Sequence, residues 1–228
     1  MTERSESALA ERLHSVQSGI ADAVRESGRH PHEVTTVVVT KFHPASLVRE
    51  LAALGVRNFG ESRHQEARAK VAEVADSDLT WHFVGQVQGK KARQIAEYAR
   101  VIHSVDRESL LTALGFADHV TECFLQINLT SDPSRGGIDP RELAALAEVA
   151  LSTSHIRLLG VMAVAPLGED PRRAFARVRE VSELLRTIAP EATSISAGMS
   201  GDYREAILDG ATHLRIGSAI TGNRPPAG

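Results

Sequence analysis

The chain has 228 residues, a formal net charge of −3, and 4% aromatic side chains. A balance this close to neutral gives no field that would gather nucleic acid or an anionic membrane surface, and the densest basic group, Lys90-Lys91 with Arg93, is too short to argue for RNA. A single cysteine, Cys123, excludes an internal disulfide and agrees with a reducing compartment; no apolar stretch approaches the ~20 residues of a membrane span, so a soluble cytoplasmic protein is expected.

The opening Met1-Thr-Glu-Arg-Ser-Glu-Ser7 is polar and acidic, unlike a leader. From about Ser5 to Ser27, Leu13, Val16, Ile20 and Val24 fall at helical spacing; Gly28 is placed to cap this helix and Pro31 to stop it. Short apolar runs and amphipathic stretches then alternate. The runs that read as strands are Val34–Thr40, Val56–Phe59, Thr80–Val84, Val101–Val105, Cys123–Leu129, Arg157–Ala163, Thr193–Ala197 and His213–Ile216. Helices are expected over Pro44–Leu54, His64–Val74, Lys91–Tyr98, Arg107–Ala117, Pro140–Leu151, Pro171–Ile188 and Asp202–Leu208.

Eight strands alternating with helices in a chain of this length predict an α/β protein: a single (β/α)8 TIM barrel, one domain over residues 1–228, with an extra N-terminal helix. A doubly wound sheet would show fewer strands and a Gly-rich turn after the first one, and Val39-Thr-Lys-Phe-His-Pro44 contains no glycine. The core must be built from Val, Ile, Leu and Ala, with Cys123 a buried strand residue.

Barrel sites are built at the C-terminal ends of the strands. Lys41 stands there, at the exit of Val34-Thr-Thr-Val-Val-Val-Thr40, a run so rich in β-branched residues that it reads as a strand buried on both faces. An amine held near that apolar core is expected to be partly desolvated, and a neutral amine can hold an aldehyde as a Schiff base. The loops after strands seven and eight, where barrels often bind phosphate, read Ser196-Ala-Gly-Met-Ser-Gly-Asp202 and Arg215-Ile-Gly-Ser218. Each sets a glycine and a hydroxyl before a helix, so that backbone N–H groups and the helix dipole converge on one point opposite Lys41. Read alone, Ser200 is as well explained as a helix cap and Gly217 as a tight turn.

Arg215 shares a strand face with Gly217 by period-two alternation and should point into the barrel mouth, where it needs an acceptor. Asp106, Glu61 or an aromatic ring nitrogen would serve, and the last would suit pyridoxal phosphate. An arginine cannot keep that nitrogen protonated, which favours holding the cofactor, or mild racemase-like chemistry, over strong carbanion stabilisation.

Several segments carry a family resemblance: Val38-Val-Thr-Lys-Phe42, Asn58-Phe-Gly-Glu61, Trp81-His-Phe-Val-Gly85, Ile102-His-Ser-Val-Asp106, Gln126-Ile-Asn128, Gly160-Val-Met162, Gly198-Met-Ser200 and Gly210-Ala-Thr-His-Leu-Arg-Ile-Gly217. In these segments the chain resembles the pyridoxal phosphate homeostasis proteins, whose fold is like the N-terminal barrel of alanine racemase. The resemblance implies that Lys41 carries the Schiff base, that Ser200, Gly217 and Ser218 hold the phosphate, and that Arg215 faces the pyridine nitrogen. It implies that Met199, Asn58 and His82 line the pocket. It further implies a carrier of pyridoxal 5'-phosphate without catalytic residues or metal, acting as a monomer or weak dimer, with dependent apo-enzymes as partners. Ser62, Val87, Lys90, Arg135 and Thr221 depart from the family's usual Asn, Leu, Asn, Lys and Phe. They touch none of the inferred phosphate or Schiff-base positions and bear on the mouth and the surface around Gln86–Lys91.

Three other activities are weighed against this. An amino-acid racemase needs a second acid/base, a tyrosine from another domain in alanine racemases; Tyr98 and Tyr203 fall in expected helices, and the chain ends at Gly228. Gly198-Met-Ser-Gly201 lacks the second glycine of a nucleophile elbow, because Asp202 stands there. His30-Pro-His32 is the closest histidine pair and has no carboxylate at metal-ligand spacing.

Overall fold

A computed structural model describes residues 3–223 of the chain. After a long first helix, α1 (Glu3–Glu26), the chain alternates β1 (Thr35–Val39), α2 (Ala45–Ala53), β2 (Asn58–Glu61), α3 (His64–Val74), β3 (Thr80–Phe83), α4 (Ala92–Ala96), β4 (Val101–Val105), α5 (Glu108–Leu114), β5 (Thr121–Gln126), α6 (Leu143–Ser152), β6 (Ile156–Met162), α7 (Pro171–Ile188), β7 (Ser194–Ser196), α8 (Tyr203–Leu208), β8 (His213–Ile216) and α9 (Ser218–Thr221). The strands are parallel and close in sequence order, β8 pairing with β1 through Thr35–His213 to Val38–Ile216. The expected (β/α)8 barrel with its N-terminal helix is the observed fold.

Period-two alternation splits every strand between two environments. Val38, Phe59, Trp81, Phe83, Ile102, Leu125, Ile195 and Leu214 face outward and join the large core between strands and helices. Each such side chain contributes ~1.5–3 kcal/mol by leaving water. The inward positions hold a smaller apolar cluster of Val101, Phe124 and Met162, and buried polar residues fill much of the remaining lumen. Gly60 of β2 faces Val37 and Val39 of β1, and a β-carbon there would come to 3.1 Å from Val37. Cys123 is buried, and burial pushes its thiol up to about 12, so it is not a ready nucleophile.

The observed elements differ from the expected ones where a cap or loop pulls the chain away. Strand two begins at Asn58, not Val56, because the Val56 N–H still bonds to Leu51 O in the turn that ends α2. Strand five ends at Gln126, because Ile127 leaves to form a bridge with Ile138. The helix expected from Pro140 is divided into a 3-10 turn at Pro140–Glu142 and α6, and a second such turn at Gly89–Lys91 precedes α4. The four-residue α9 is too short for its periodicity to show in the sequence.

Helix α1 packs on α8 and α9, the helices that follow β7 and β8. Its Arg12 donates to Ile220 O at 2.8 Å, and its Glu26 pairs with Arg204. Tyr203 lies against Gly19, where no β-carbon would fit. The extra helix thus braces the two loops that form one side of the barrel mouth.

Candidate functional site

The C-terminal ends of β6, β7, β8, β1, β2 and β3 surround a cavity of about 570 Å³. Its lining includes Lys41, Met199, Ser200, Arg215, Gly217 and Ser218, six of the residues singled out from sequence, together with Val39, Ser62, Val84, Met162, Val164 and Gly201. That volume is in the range that holds a small organic ligand. Because β8 neighbours β1, Lys41 stands beside the two glycine–hydroxyl loops and not opposite them.

Lys41 follows β1 on the face of Val37 and Val39, which turns it to the mouth. The expected burial of its amine is not found: Lys41 is exposed, because the hydrogen-bonded strand ends at Val39 and the lysine lies past it at an open rim. Its Nζ sits 5.9 Å from the Phe42 ring centroid.

The two loops are joined. Gly198, at φ 91, starts a turn in which Met199 N–H bonds to Asp202 Oδ1 at 2.6 Å and Asp202 N–H to Met199 O at 3.2 Å. The Ser200 hydroxyl oxygen then accepts the Ala219 N–H of α9 at 3.3 Å, so the loop after β7 touches the helix start after β8. N–H groups at a helix start, with hydroxyls beside them, are a chemistry that can receive an anion. Met199 and Val164 are partly exposed apolar residues at its rim.

Arg215 is 6% exposed, on the lumen face of β8. It donates to Ser196 Oγ at 2.6 Å and to Ala163 O at 2.9 Å, and among the described residues no carboxylate forms an ion pair with it. Neither carboxylate expected to meet it does so: Asp106 pairs with Arg107, and Glu61, facing outward, pairs with Lys70. Burial in the lumen lowers the guanidinium to about 10, with Asp202 opposing weakly.

Asn58 and His82 do not stand on the cavity wall. They lie on the lumen faces of β2 and β3, within the barrel, and belong to a chain of hydrogen bonds that ends on Arg215. Ser196 Oγ contacts His103 Nδ1 at 2.8 Å, His103 Nε2 contacts His82 Nδ1 at 2.9 Å, and His82 Nε2 contacts Asn58 Oδ1 at 3.0 Å. Desolvation holds both histidines neutral, His82 down to about 3 and His103 well below its ordinary range. With Asn58 Oδ1 as acceptor, the neutral rings fix the sense of the chain: His82 donates to Asn58, His103 to His82, and the Ser196 hydroxyl to His103. The chain thus runs from a buried cation through neutral dipoles. His103 and Ser196 are the residues sequence reasoning missed; their period-two placement in strands four and seven was the available signal, since inward polar residues in a packed barrel need partners.

A second cavity of about 670 Å³, lined by Arg63, His64, Glu66, Gln86, Gln88 and Lys91, shares Ser62 with the first. Of the departures from the family pattern, Ser62 lines both cavities, and Thr221 does touch an inferred phosphate position, its N–H bonding to Gly217 O at 3.0 Å.

The fold and the strand-end site define a barrel of the alanine racemase type, and the model of the alanine racemase N-terminal domain family matches residues 19–225. A pyridoxal phosphate homeostasis protein of Corynebacterium glutamicum is 41% identical over 223 residues, covering 93% of this chain and 100% of the relative; one of Pseudomonas aeruginosa is 40% identical over 226 residues, covering 96% of each. PipY of Synechococcus elongatus, solved with pyridoxal phosphate bound, is 37% identical with a TM-score of 0.81, covering 94% of this chain and 100% of PipY. The chain belongs to the alanine racemase N-terminal domain family and, within it, to the pyridoxal phosphate homeostasis proteins.

Proposed function

We propose that this chain binds pyridoxal 5'-phosphate in the strand-end cavity, holds it as a Schiff base on Lys41, and serves cofactor homeostasis in the cytoplasm without catalytic turnover. The observation that carries this reading is the convergence in one cavity of a free-standing amine, two joined glycine–hydroxyl loops, and a buried arginine that no carboxylate neutralises. The donor set suits the molecule: an amine for an aldehyde, N–H groups and hydroxyls for a phosphate, and a guanidinium for a ring nitrogen. The names of the relatives and the cofactor bound in PipY support the same reading.

When bound, the cofactor supplies an aldehyde that condenses with an amine and releases water. The chain's part is to bind and orient. Ser200, Gly217 and Ser218 anchor the phosphate, and Met199 flanks it. Two of the Arg215 N–H groups are committed to Ser196 and Ala163, so the guanidinium is fixed in direction while its other donors remain for the ligand. Asn58 and His82 act from behind through the hydrogen-bond chain.

Absence of turnover is supported by the position of the tyrosines. Tyr98 stacks on His64 and bonds to its Nδ1 at 3.3 Å, and Tyr203 packs against α1; neither lines the cavity. No tyrosine is therefore set to act as the second base that two-base racemization needs. The partners this reading implies are apo-enzymes that need the cofactor, served by a monomer or weak dimer.

The test is the visible absorption spectrum of the protein with added pyridoxal phosphate, before and after borohydride, beside Lys41→Ala. An imine band that reduction bleaches, with the adduct mapped to the Lys41 peptide and missing from the variant, is expected. Absence of a band in wild type would overturn the reading. Inversion of an optically pure amino acid well above the rate of free cofactor would replace the carrier with a racemase.

A further inference from the structure

Both residues that flank Lys41 in the chain are held by a buried ion cluster on the outer side of the barrel wall. Lys70 of α3 has only 4% of its side chain exposed; its Nζ donates to Thr40 O at 2.8 Å and meets Glu61 Oε1 at 2.5 Å and Glu66 Oε1 at 3.2 Å. The Thr40 hydroxyl donates to Glu61 Oε1 at 2.7 Å. The Phe42 N–H donates to Glu66 Oε1 at 2.5 Å. The cluster therefore grips the carbonyl and hydroxyl before Lys41 and the amide after it.

What it grips is a turn. His43 N–H bonds to Thr40 O at 3.1 Å, leaving Lys41 and Phe42 as the two central residues. Phe42 has φ 70, in the left-handed region that a bulky side chain avoids. Such a conformation persists where the surroundings over-determine it, and the Glu66 carboxylate on the Phe42 N–H does so here. A buried Lys–Glu–Glu group is no better for stability than apolar side chains of the same shape. Its contacts, however, converge on the three residues Thr40, Lys41 and Phe42.

We propose that Lys70, Glu61 and Glu66 form a positioning device for Lys41: by clamping the turn, they set the direction in which its amine enters the cavity, and hence how readily it reacts with an aldehyde. This rests on the reading of Lys41 as the cofactor lysine. None of the three lines the cavity, so they act through the turn.

Glu66 is the residue to change. A quarter of its side chain is exposed, and its removal leaves the Lys70–Glu61 pair intact. Wild type, Glu66→Ala and Glu66→Gln are mixed with pyridoxal phosphate, trapped with borohydride over time, and scored for adduct on the Lys41 peptide; the melting temperature of each is measured without cofactor. Glu66→Ala is expected to form the Lys41 adduct about tenfold more slowly, the scale of losing a hydrogen bond to a charged group. Its cofactor-free melting temperature should stay close to wild type. Glu66→Gln, whose carbonyl oxygen still accepts the Phe42 N–H, should restore the rate. Trapping at the wild-type rate in Glu66→Ala, or a Glu66→Gln as slow as Glu66→Ala, would overturn the inference. If Glu66→Ala melts far below wild type, Thr40→Val decides: it removes the Glu61 contact and keeps the shape, and unchanged trapping in it overturns the clamp. A wild type with no adduct on Lys41 defeats the parent reading and this one together. An adduct that forms equally in all variants defeats only this one.

Discussion

Among the described residues two lysine or arginine side chains are buried in this barrel, Lys70 and Arg215, and they are satisfied in opposite ways. Lys70, outside the strands, is neutralised by Glu61 and Glu66 within the protein. Arg215, inside the lumen, meets only a hydroxyl and a carbonyl, backed by two neutral histidines. A buried charge with its own counter-ion is complete, whereas one supported only by dipoles can still take a ligand. The fold puts the complete one behind the Lys41 turn and the incomplete one on the cavity wall. The difference is one of chemistry: Lys70 has the partners of a scaffold residue, and Arg215 those of a candidate ligand-binding residue.

The largest expected contrast is in acid. His82, His103 and His213 are all lowered by burial, His82 to about 3 and His213 to about 4, from an ordinary 6.5. Unfolding lets them bind protons that the folded lumen refuses. Their contribution to stability is therefore complete above pH 6.5 and lost as pH falls toward 4. With three such groups the slope reaches ~4 kcal/mol per pH unit at its steepest. The outer cluster has the opposite sign. Burial raises the Glu61 carboxyl against the pull of Lys70, and its Oε2 has no hydrogen-bond partner. Its contribution is present below 4.5 and lost as pH rises through the folded value. Urea unfolding between pH 7 and 4 should show the histidine effect dominating, and His82→Gln or His103→Gln should each flatten the slope by about one proton. An unchanged slope in both variants would show that the lumen does not refuse protons.

Next in size is the loss of the complete cation. Lys70→Met leaves Glu61 buried without its counter-ion and should cost ~3–5 kcal/mol in urea unfolding at pH 7. Pairing it with Glu61→Gln should recover much of that loss, since the buried charge goes with its partner. A cost under ~1 kcal/mol would mean that water reaches Glu61 and that the two cations do not differ as described.

Strand count, order and the lumen-facing side of Lys41 and Arg215 were legible in the sequence, because alternation and β-branched runs are local signals. So were the two loops, whose glycines and hydroxyls sit next to strands seven and eight. What was not legible depended on distance through space. Charge alone pairs Arg215 with Asp106 or Glu61; but Glu61 is an outward residue of its strand, and Lys70, nine positions later on a helix, claims it. His103 meets Ser196 across 93 positions, a contact only barrel closure can make. The exposure of Lys41 turned on one residue of strand length, the least certain quantity in a sequence reading. The Phe42 strain had no sequence signal, since glycine would mark that conformation and phenylalanine stands there.

The smallest effect on stability, and the sharpest test of the comparison, is removal of the incomplete cation. Arg215→Met takes away a desolvated charge that no carboxylate balances, at the expense of the Ser196 and Ala163 hydrogen bonds. These losses and gains oppose each other, so cofactor-free stability should move by no more than ~1 kcal/mol in either direction. What should be lost instead is the stabilisation conferred by ligand. Wild type with pyridoxal phosphate at 100 times its dissociation constant should gain ~2.7 kcal/mol. Arg215→Met should gain measurably less at the same concentration, while Lys41 can still be trapped by borohydride. Melting curves with and without cofactor separate the two terms. A variant that destabilises the cofactor-free chain as strongly as Lys70→Met, yet gains fully from ligand, would make Arg215 a structural cation and erase the distinction between the two regions.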